Sequence, residues 1–328
     1  KIKYFFEFLI ISSLFIIYKF LGLKISSHFS GKLFETFGPI FRSKNLIKTN
    51  IQRAIPKINS SKIKSITNDM WNNYGRTLSE YMFLKGFRND QFRSNINITG
   101  KEILQKIKLE KTPVIFVSGH FSNFELMAME IEKSGVNLSA IYRPLNNIFL
   151  NILMERIRKK YICKNQIKKG TSGVRELLRL YKKGYSIALM IDQRVSQGIK
   201  SKFFNQEAFT TTIPAQFIKK FNCKVVPISI KRHNSINFNI KVEKPIEFSK
   251  NSSTEKITRE LNIFATVSFL TALFYLPIAN ITAILQALPL TVTLAASWFL
   301  GEKIGWRRGI AILIGFFGVL LIIQPFNK

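Results

Sequence analysis

Short apolar runs alternate with basic stretches of helical periodicity through the middle of the chain. The apolar runs have the length of buried strands and are bounded by turn residues. They predict strands at 114–118, 138–142, 186–191, 225–230 and 236–242. The stretches between and after them predict helices at 123–133, 148–160, 172–183 and 212–221. Such alternation is typical of an α/β fold, and we expect a mixed sheet sandwiched by helices.

The amino-terminal region has a different pattern. Residues 4–23 are mostly apolar but are interrupted by Glu7 and Lys19, so the uninterrupted run is shorter than the roughly 20 residues of a spanning helix. We predict a membrane anchor over 1–23, amphipathic or partly inserted, with a spanning helix as the close alternative. A signal peptide is not expected, because no small-residue cleavage site follows. Residues 43–95 predict polar helices whose aromatic residues pack on the core.

The composition changes abruptly near residue 262. Residues 263–301 carry no charge, and Pro277 and Pro289 divide them into short spans. A further apolar span covers about 309–325. Apolar stretches of this kind predict a carboxy-terminal segment of about three transmembrane helices. The expected organisation is therefore an anchor at 1–23, an α/β domain at 24–262 and a membrane segment at 263–328.

The charge balance restricts the partners. The chain has 50 Lys and Arg against 19 Asp and Glu, a net charge of +31. Part of this excess reflects a composition rich in Lys, Ile, Asn and Phe, as in proteins from AT-rich genomes. The rest favours a phosphorylated lipid, an anionic membrane surface, an acidic carrier protein or nucleic acid. Nucleic acid is not expected, because basic and aromatic residues do not interleave and no binding motif is present.

The basic residues are densest at 156–183, where Glu176 is the one acidic residue. This stretch suits an acidic carrier protein or an anionic lipid headgroup. The alternative is a solvated helix face. The chain has two cysteines, Cys163 and Cys223, without metal-ligand spacing, and we expect both to be reduced. Nucleotide, flavin and zinc motifs are absent from the sequence, so no cofactor and no metal are expected.

The candidate chemistry follows the first predicted strand. His120 comes directly after it, and Ser122 and Asn123 are good N-cap residues, which places Glu125 in the first turn of a helix. We expect Glu125 to reach back and orient the imidazole, so that His120 acts as a general base. No protein nucleophile is needed if the hydroxyl of the substrate attacks, and the reaction would then be acyl transfer.

Two further polar residues lie at predicted strand ends. Arg143 is expected to pair with a phosphate, either of the lipid or of a pantetheine donor, with a surface ion pair as the alternative. Asp192 is expected to position the acceptor or to hold an arginine of the site, with a structural cap as the alternative.

The segment 120–125 resembles the H-x4-D/E signature of lysophospholipid-type acyltransferases. The resemblance is strongest to the late acyltransferases of lipid A biosynthesis, the lauroyl/myristoyl transferase family, and it covers about residues 1–262. Further matching segments follow in order at 142–147, 168–170, 191–193 and 203–215. Asn205 and Ile213 depart from the family pattern, which often has Gly at both places.

The resemblance implies a glycerol-phosphate acyltransferase-like fold and an enzyme of the bacterial inner membrane, with its catalytic domain on the cytoplasmic face. Its members move a fatty acyl chain from an acyl-carrier-protein thioester to a hydroxyl of a lipid A precursor. His120 and Glu125 would be catalytic. Arg143, Asp192, Lys168 and Lys169 would bind substrate. The implied partners are acyl carrier protein, a phosphorylated lipid acceptor and the membrane, and another lysolipid is the alternative acceptor.

Residues 263–328 resemble something else, the carboxy-terminal helices of an EamA-type drug/metabolite transporter. The matching segments are 272–279, 300–302 and 315–322. A rival hypothesis is therefore a transporter fragment fused to an inactive domain. A three-helix fragment lacks the repeat that would form a central transport site, which counts against it. The composition break would look the same for a natural fusion and for a misassembled gene.

Overall fold

The computed structural model describes residues 2–274 apart from 194, 196, 197, 204, 205 and 250. The chain forms two compact units, residues 1–269 and 270–328. The predicted membrane helices and the resemblance to a transporter fall on 263–328, and residues 275–328 of this segment lie outside the described residues. Both therefore stay predictions.

Seven strands form one sheet within the described residues, in the spatial order β1-β9-β8-β2-β5-β3-β4. All neighbouring pairs are parallel except β8 and β9, so the sheet is mixed as predicted. Two further strands, β6 and β7, form a separate antiparallel hairpin. The bounds are β1 Ile96–Thr99, β2 Ile115–Ser118, β3 Leu138–Tyr142, β4 Asn165–Lys168, β5 Ser186–Met190, β6 Ile199–Phe203, β7 Gln206–Thr210, β8 Val225–His233 and β9 Asn237–Val242.

Helices cover both faces of the sheet. Their bounds are α1 Ile2–Phe37, α2 Lys44–Ala54, α3 Ser60–Glu80, α4 Leu84–Arg88, α5 Lys101–Glu110, α6 Glu125–Lys133, α7 Ile148–Ile157, α8 Thr171–Lys182, α9 Ile213–Phe221 and α10 Thr254–Phe274. The alternation of side chains along β2 explains the two layers, because successive residues of a strand point to opposite faces. Phe116 belongs to one hydrophobic cluster, whereas Ile115 and Val117 belong to the other.

The structure confirms the five predicted strands and the four predicted helices, with bounds shifted by a few residues. It adds elements that the hydrophobic pattern does not reveal, namely β1, β4, the β6–β7 hairpin and α5. The first two are the edge strands of the sheet. Edge strands carry polar residues because one side of their backbone faces solvent, and the pattern of a buried strand is therefore missing.

The predicted domain boundary at 262 falls inside α10. Asn262 is buried, and its side-chain amide donates to the Lys202 carbonyl oxygen at 3.0 Å and to the Ser201 hydroxyl at 3.2 Å. The helix α10 therefore packs against the β6–β7 hairpin at least as far as Asn262.

The amino-terminal helix α1 is longer than the predicted anchor. It is kinked at Gly22, which has a φ of 75°, a conformation that glycine adopts without steric cost. Phe15 and Tyr18 are buried against the core, whereas Phe6, Ile10 and Phe20 are exposed. Within the described residues, one helical segment, Ile2–Ile40, is long and apolar enough to cross a membrane. The anchor itself stays a prediction.

Candidate active site

His120 and Asp192 meet at the carboxyl edge of the sheet. Strands β2 and β5 are parallel neighbours, with Ser118 paired in register with Met190. His120 and Asp192 each lie two residues beyond this pair, so the strands deliver them to the same place. The imidazole Nδ1 lies 2.8 Å from one carboxylate oxygen of Asp192. The backbone N–H of His120 donates to the other oxygen at 2.9 Å.

The electrostatics of this pair favour a charged carboxylate. Burial raises the pKa of Asp192, but the hydrogen bonds from the His120 ring and backbone outweigh burial and hold the pKa below its usual value. A carboxylate at Nδ1 favours the tautomer with its proton on Nδ1, which leaves the lone pair on Nε2. The imidazole side chain is about one-third exposed, at 32%. His120 can therefore accept a proton from a bound substrate.

Glu125 is not the carboxylate that holds the imidazole. Its side chain is buried and accepts from the guanidinium of Arg158, whose Nε lies 2.8 Å from Oε1, and from the Tyr81 hydroxyl. The expectation that Glu125 orients the His120 ring is therefore wrong in its geometry. The first turn of α6 directs Glu125 towards Arg158 and Tyr81, while Asp192 reaches the imidazole from the neighbouring strand.

Arg158, Glu125 and Tyr81 form a buried cluster. Arg158 lies in a π-helical turn, Arg158–Ile162, that continues α7. Its Nη2 also donates to the Tyr81 hydroxyl at 2.8 Å. Burial lowers the pKa of the Arg158 guanidinium, but the nearby Glu125 and Tyr81 raise it above its usual value overall. Sequence reasoning did not single out Arg158, since it lies within the basic stretch 156–183.

The loop between β2 and α6 has an unusual conformation. Ser122 and Asn123 do not cap the helix as predicted, because α6 begins at Glu125 with Phe124 at the N-cap position. Ser122 instead has a φ of 45°, in the left-handed region that non-glycine residues seldom adopt. The Phe124 ring packs edge-on against the His120 ring, with 4.8 Å between the ring centroids.

The remaining predicted residues line the same edge of the sheet. Arg143 follows β3, Lys168 ends β4 and Lys169 comes directly after it. All three are exposed. The four strands β2, β5, β3 and β4 are adjacent and parallel, so their carboxyl ends form one continuous rim. Neighbouring strands are about 4.8 Å apart, so Arg143, which follows β3, lies roughly one strand spacing along the rim from Asp192, which follows β5.

A histidine held by a carboxylate, with a row of cations beside it, suits acyl transfer to a hydroxyl of an anionic substrate. Among the residues that the structure describes, no cluster of three His, Cys, Asp or Glu side chains could hold a metal ion. The site is that of an acyltransferase. The family model described as "Bacterial lipid A biosynthesis acyltransferase" matches residues 1–268, and the chain belongs to this family. The match confirms the resemblance found at about 1–262.

The chain is also similar to a solved structure, that of the 1-acyl-sn-glycerophosphate acyltransferase PlsC from Thermotoga maritima. The sequences are 16% identical, and the TM-score is 0.37. The match covers 79% of this chain and 98% of that one. No curated protein matches the sequence. The family is membrane-associated, and the apolar helix α1 fits such a location.

Proposed function

We propose that this acyltransferase moves a fatty acyl chain from an acyl-carrier-protein thioester to a hydroxyl of a lipid A precursor. The observation that carries the proposal is the 2.8 Å contact between His120 and Asp192 at the open edge of the sheet. The family match supports the lipid class of the acceptor.

The geometry suggests a direct transfer. Nε2 of His120 takes the proton of the acceptor hydroxyl as its oxygen attacks the thioester carbonyl. The tetrahedral intermediate then collapses, the carbon–sulfur bond breaks, and the imidazolium returns the proton to the leaving thiolate. Asp192 holds the required tautomer and stabilises the imidazolium. A positioned general base of this kind contributes on the order of 10²–10⁴ in rate.

The rim of cations supports an anionic substrate. Beside the dyad of His120 and Asp192, three cations follow the ends of β3 and β4, namely Arg143, Lys168 and Lys169. A phosphate bound there would hold its substrate roughly 5–10 Å along the rim from Asp192, one to two strand spacings. Both the lipid acceptor and the pantetheine arm of the donor carry a phosphate. We assign this rim to the substrate phosphates.

The basic surface next to this rim supports a carrier-protein donor. Lys159, Lys160, Lys168 and Lys169 are exposed around the end of α7 and the end of β4. Glu155 partly neutralises this surface, because its carboxylate lies 2.8 Å from Lys159 and 3.7 Å from Lys168. The net charge remains positive, which suits an acidic carrier protein.

The contact between α1 and α7 supports access from the membrane. Phe149 packs against Phe5 and Phe8, with ring centroids 5.8 and 5.9 Å apart. The Asn147 side chain donates to the Tyr4 carbonyl oxygen at 2.7 Å. Because α7 directly follows the segment that holds Arg143, the apolar helix adjoins the proposed anion site. We infer that the acceptor stays in the inner membrane, with the catalytic domain on the cytoplasmic side.

The test is acyl transfer by the purified full chain in detergent. We expect transfer from an acyl carrier protein donor to a lipid A precursor, and loss of it in His120→Ala. His28→Ala is the matched control, because His28 is exposed on α1. Transfer to lysophosphatidic acid alone would favour the alternative acceptor. Transfer from acyl-coenzyme A alone would overturn the donor assignment. Full activity of His120→Ala would exclude the base mechanism.

A further inference from the structure

A buried carboxylate that the proposed mechanism does not use lies beneath the His120 loop. Glu80 is the last residue of α3, and its side chain is 0% exposed. It forms an ion pair with Arg232 of β8, whose Nη2 lies 3.1 Å from Oε2. Burying a charge is costly unless it is paired and hydrogen-bonded, so this carboxylate needs its partners.

Those partners come from different parts of the fold. The Asn123 side-chain amide donates to Oε2 of Glu80 at 2.9 Å, and the Ser27 hydroxyl of α1 donates to Oε1 at 2.9 Å. Glu80 therefore joins α3 to α1, to β8 and to the loop that carries His120. Asn123 is 0% exposed and lies three residues after His120.

The same loop is held at a second point. The backbone N–H of Arg232 donates to the Ser122 hydroxyl at 2.8 Å. The Ser122 carbonyl oxygen accepts from the Asn73 amide at 3.2 Å and from the Thr77 hydroxyl at 3.3 Å. These contacts hold Ser122 in its left-handed conformation, which costs free energy and persists only where the surrounding structure imposes it.

We propose that Glu80 is a positioning residue for His120 and acts through Asn123. The loop is fixed at one end by Asp192, which binds the backbone and ring of His120, and at the other by Glu80, which binds Asn123. The ion pair with Arg232 holds the Glu80 side chain in place. The inference rests on the proposed role of His120 as the base, and it adds a residue that never touches substrate.

Two variants separate this role from a purely structural one. Asn123→Ala removes the link to the loop and leaves the ion pair of Glu80 and Arg232 intact, whereas Glu80→Gln removes the charge. A small misplacement of a catalytic group costs up to about 100-fold in rate. We expect both variants to lower kcat about 10- to 100-fold with little change in KM. The double variant should be no worse than the more impaired single variant, because the two residues act in series.

Glu132→Gln is the matched control. Glu132 lies on α6, the helix that follows the loop carrying His120. Its carboxylate pairs with Arg88 at 2.7 Å, outside the network of Glu80. This variant should keep the wild-type kcat. Losses that add up in the double variant, or an unchanged kcat in Asn123→Ala, would overturn the proposal.

A measurement that does not depend on acyl transfer tests the role of Glu80 separately from the proposed function. Amide hydrogen exchange of residues 119–124, measured on the full chain in detergent, should be faster in Asn123→Ala and Glu80→Gln and unchanged in Glu132→Gln. The ring nitrogen resonances of His120 should shift in the same two variants. If the wild type transfers no acyl chain, the proposed function fails, but exchange still decides whether Glu80 holds the loop. If Glu80→Gln does not fold, Asn123→Ala alone decides, and unchanged exchange there refutes the role.

Discussion

The pair formed by Asp192 and His120 makes a quantitative prediction about Asp192→Asn. Asparagine keeps the size of the side chain but replaces one acceptor oxygen by a donor NH₂ group. In the wild type, both oxygens of Asp192 accept, one from the His120 ring and one from its backbone N–H. The variant cannot satisfy both donors. If its oxygen keeps the backbone contact, its NH₂ group faces Nδ1, and the imidazole must carry its proton on Nε2.

That tautomer cannot act as a base from Nε2. We therefore expect Asp192→Asn to lower kcat by roughly 10²–10⁴, the contribution of general-base catalysis. This loss corresponds to about 2.7–5.4 kcal/mol of transition-state stabilisation. The KM values for donor and acceptor should change little if Asp192 does not touch substrate, which separates this role from the acceptor-positioning role expected from the sequence.

The assay is the initial rate of acyl transfer in detergent, with thermal unfolding measured on the same samples. Asp90→Asn is the matched control, because Asp90 is an exposed aspartate paired with Lys133 at 2.6 Å, away from the dyad. It should keep full activity. A folded Asp192→Asn protein with more than about a tenth of the wild-type kcat would refute the tautomer argument.

The difference in stability between the wild type and this variant should also depend on pH with a defined sign. The folded-state pKa of Asp192 is lowered from an ordinary value of 3.8, so the folded protein favours the carboxylate. This contribution is fully present above about pH 3.8 and is lost as the pH falls through the lower folded pKa. The difference in thermal stability between wild type and Asp192→Asn should therefore persist from pH 7 to pH 5 and shrink at lower pH.

Three further predictions follow from other parts of the molecule. Arg158→Met should destabilise the fold by about 3–5 kcal/mol, because it leaves the buried Glu125 without its cation; chemical denaturation measures this, and a loss below about 1 kcal/mol would contradict it. Four exposed lysines form the proposed donor surface, namely Lys159, Lys160, Lys168 and Lys169. Replacing all four with Gln should raise KM for the carrier-protein donor at low salt and leave kcat unchanged. An unchanged KM would assign the cluster to a solvated face. A protein ending at Phe274 should still transfer acyl chains in detergent but should be released from membranes more readily by high-pH washing than the full chain. Loss of transfer in the folded shorter protein would mean that the removed residues 275–328 are needed for the site.

The sequence marks candidate site residues but does not reveal which of them are in contact. His120 and Asp192 are both recognisable as polar residues at strand ends, but their pairing depends on β2 lying next to β5, which strand order alone determines. Hydrophobic patterning gives no such order, so the sequence points to the nearer carboxylate, Glu125, which is not the partner of the His120 ring. The structure instead joins Glu125 to Arg158, 33 positions away.

Residues that act at long range escape sequence reasoning for the same reason. Glu80 ends a polar helix, and Arg232 lies near the end of β8, 152 positions further along the chain. Neither belongs to a motif or to a periodic pattern that marks it as buried. Polar edge strands are missed because they lack an apolar run, whereas the central strands are recognisable because both their faces are covered.

The register of the sheet has a consequence for how activity and folding are related. His120 and Asp192 occupy the positions of the second residue pair beyond Ser118 and Met190, if the pairing of β2 and β5 is continued past the strand ends. A slip of one residue between these strands would turn the Asp192 side chain to the opposite face and separate it from the imidazole. In compact states with misaligned strands, His120 would therefore lack the carboxylate that the proposed base mechanism requires. Enzymatic turnover thus reports on the correct alignment of the two central strands.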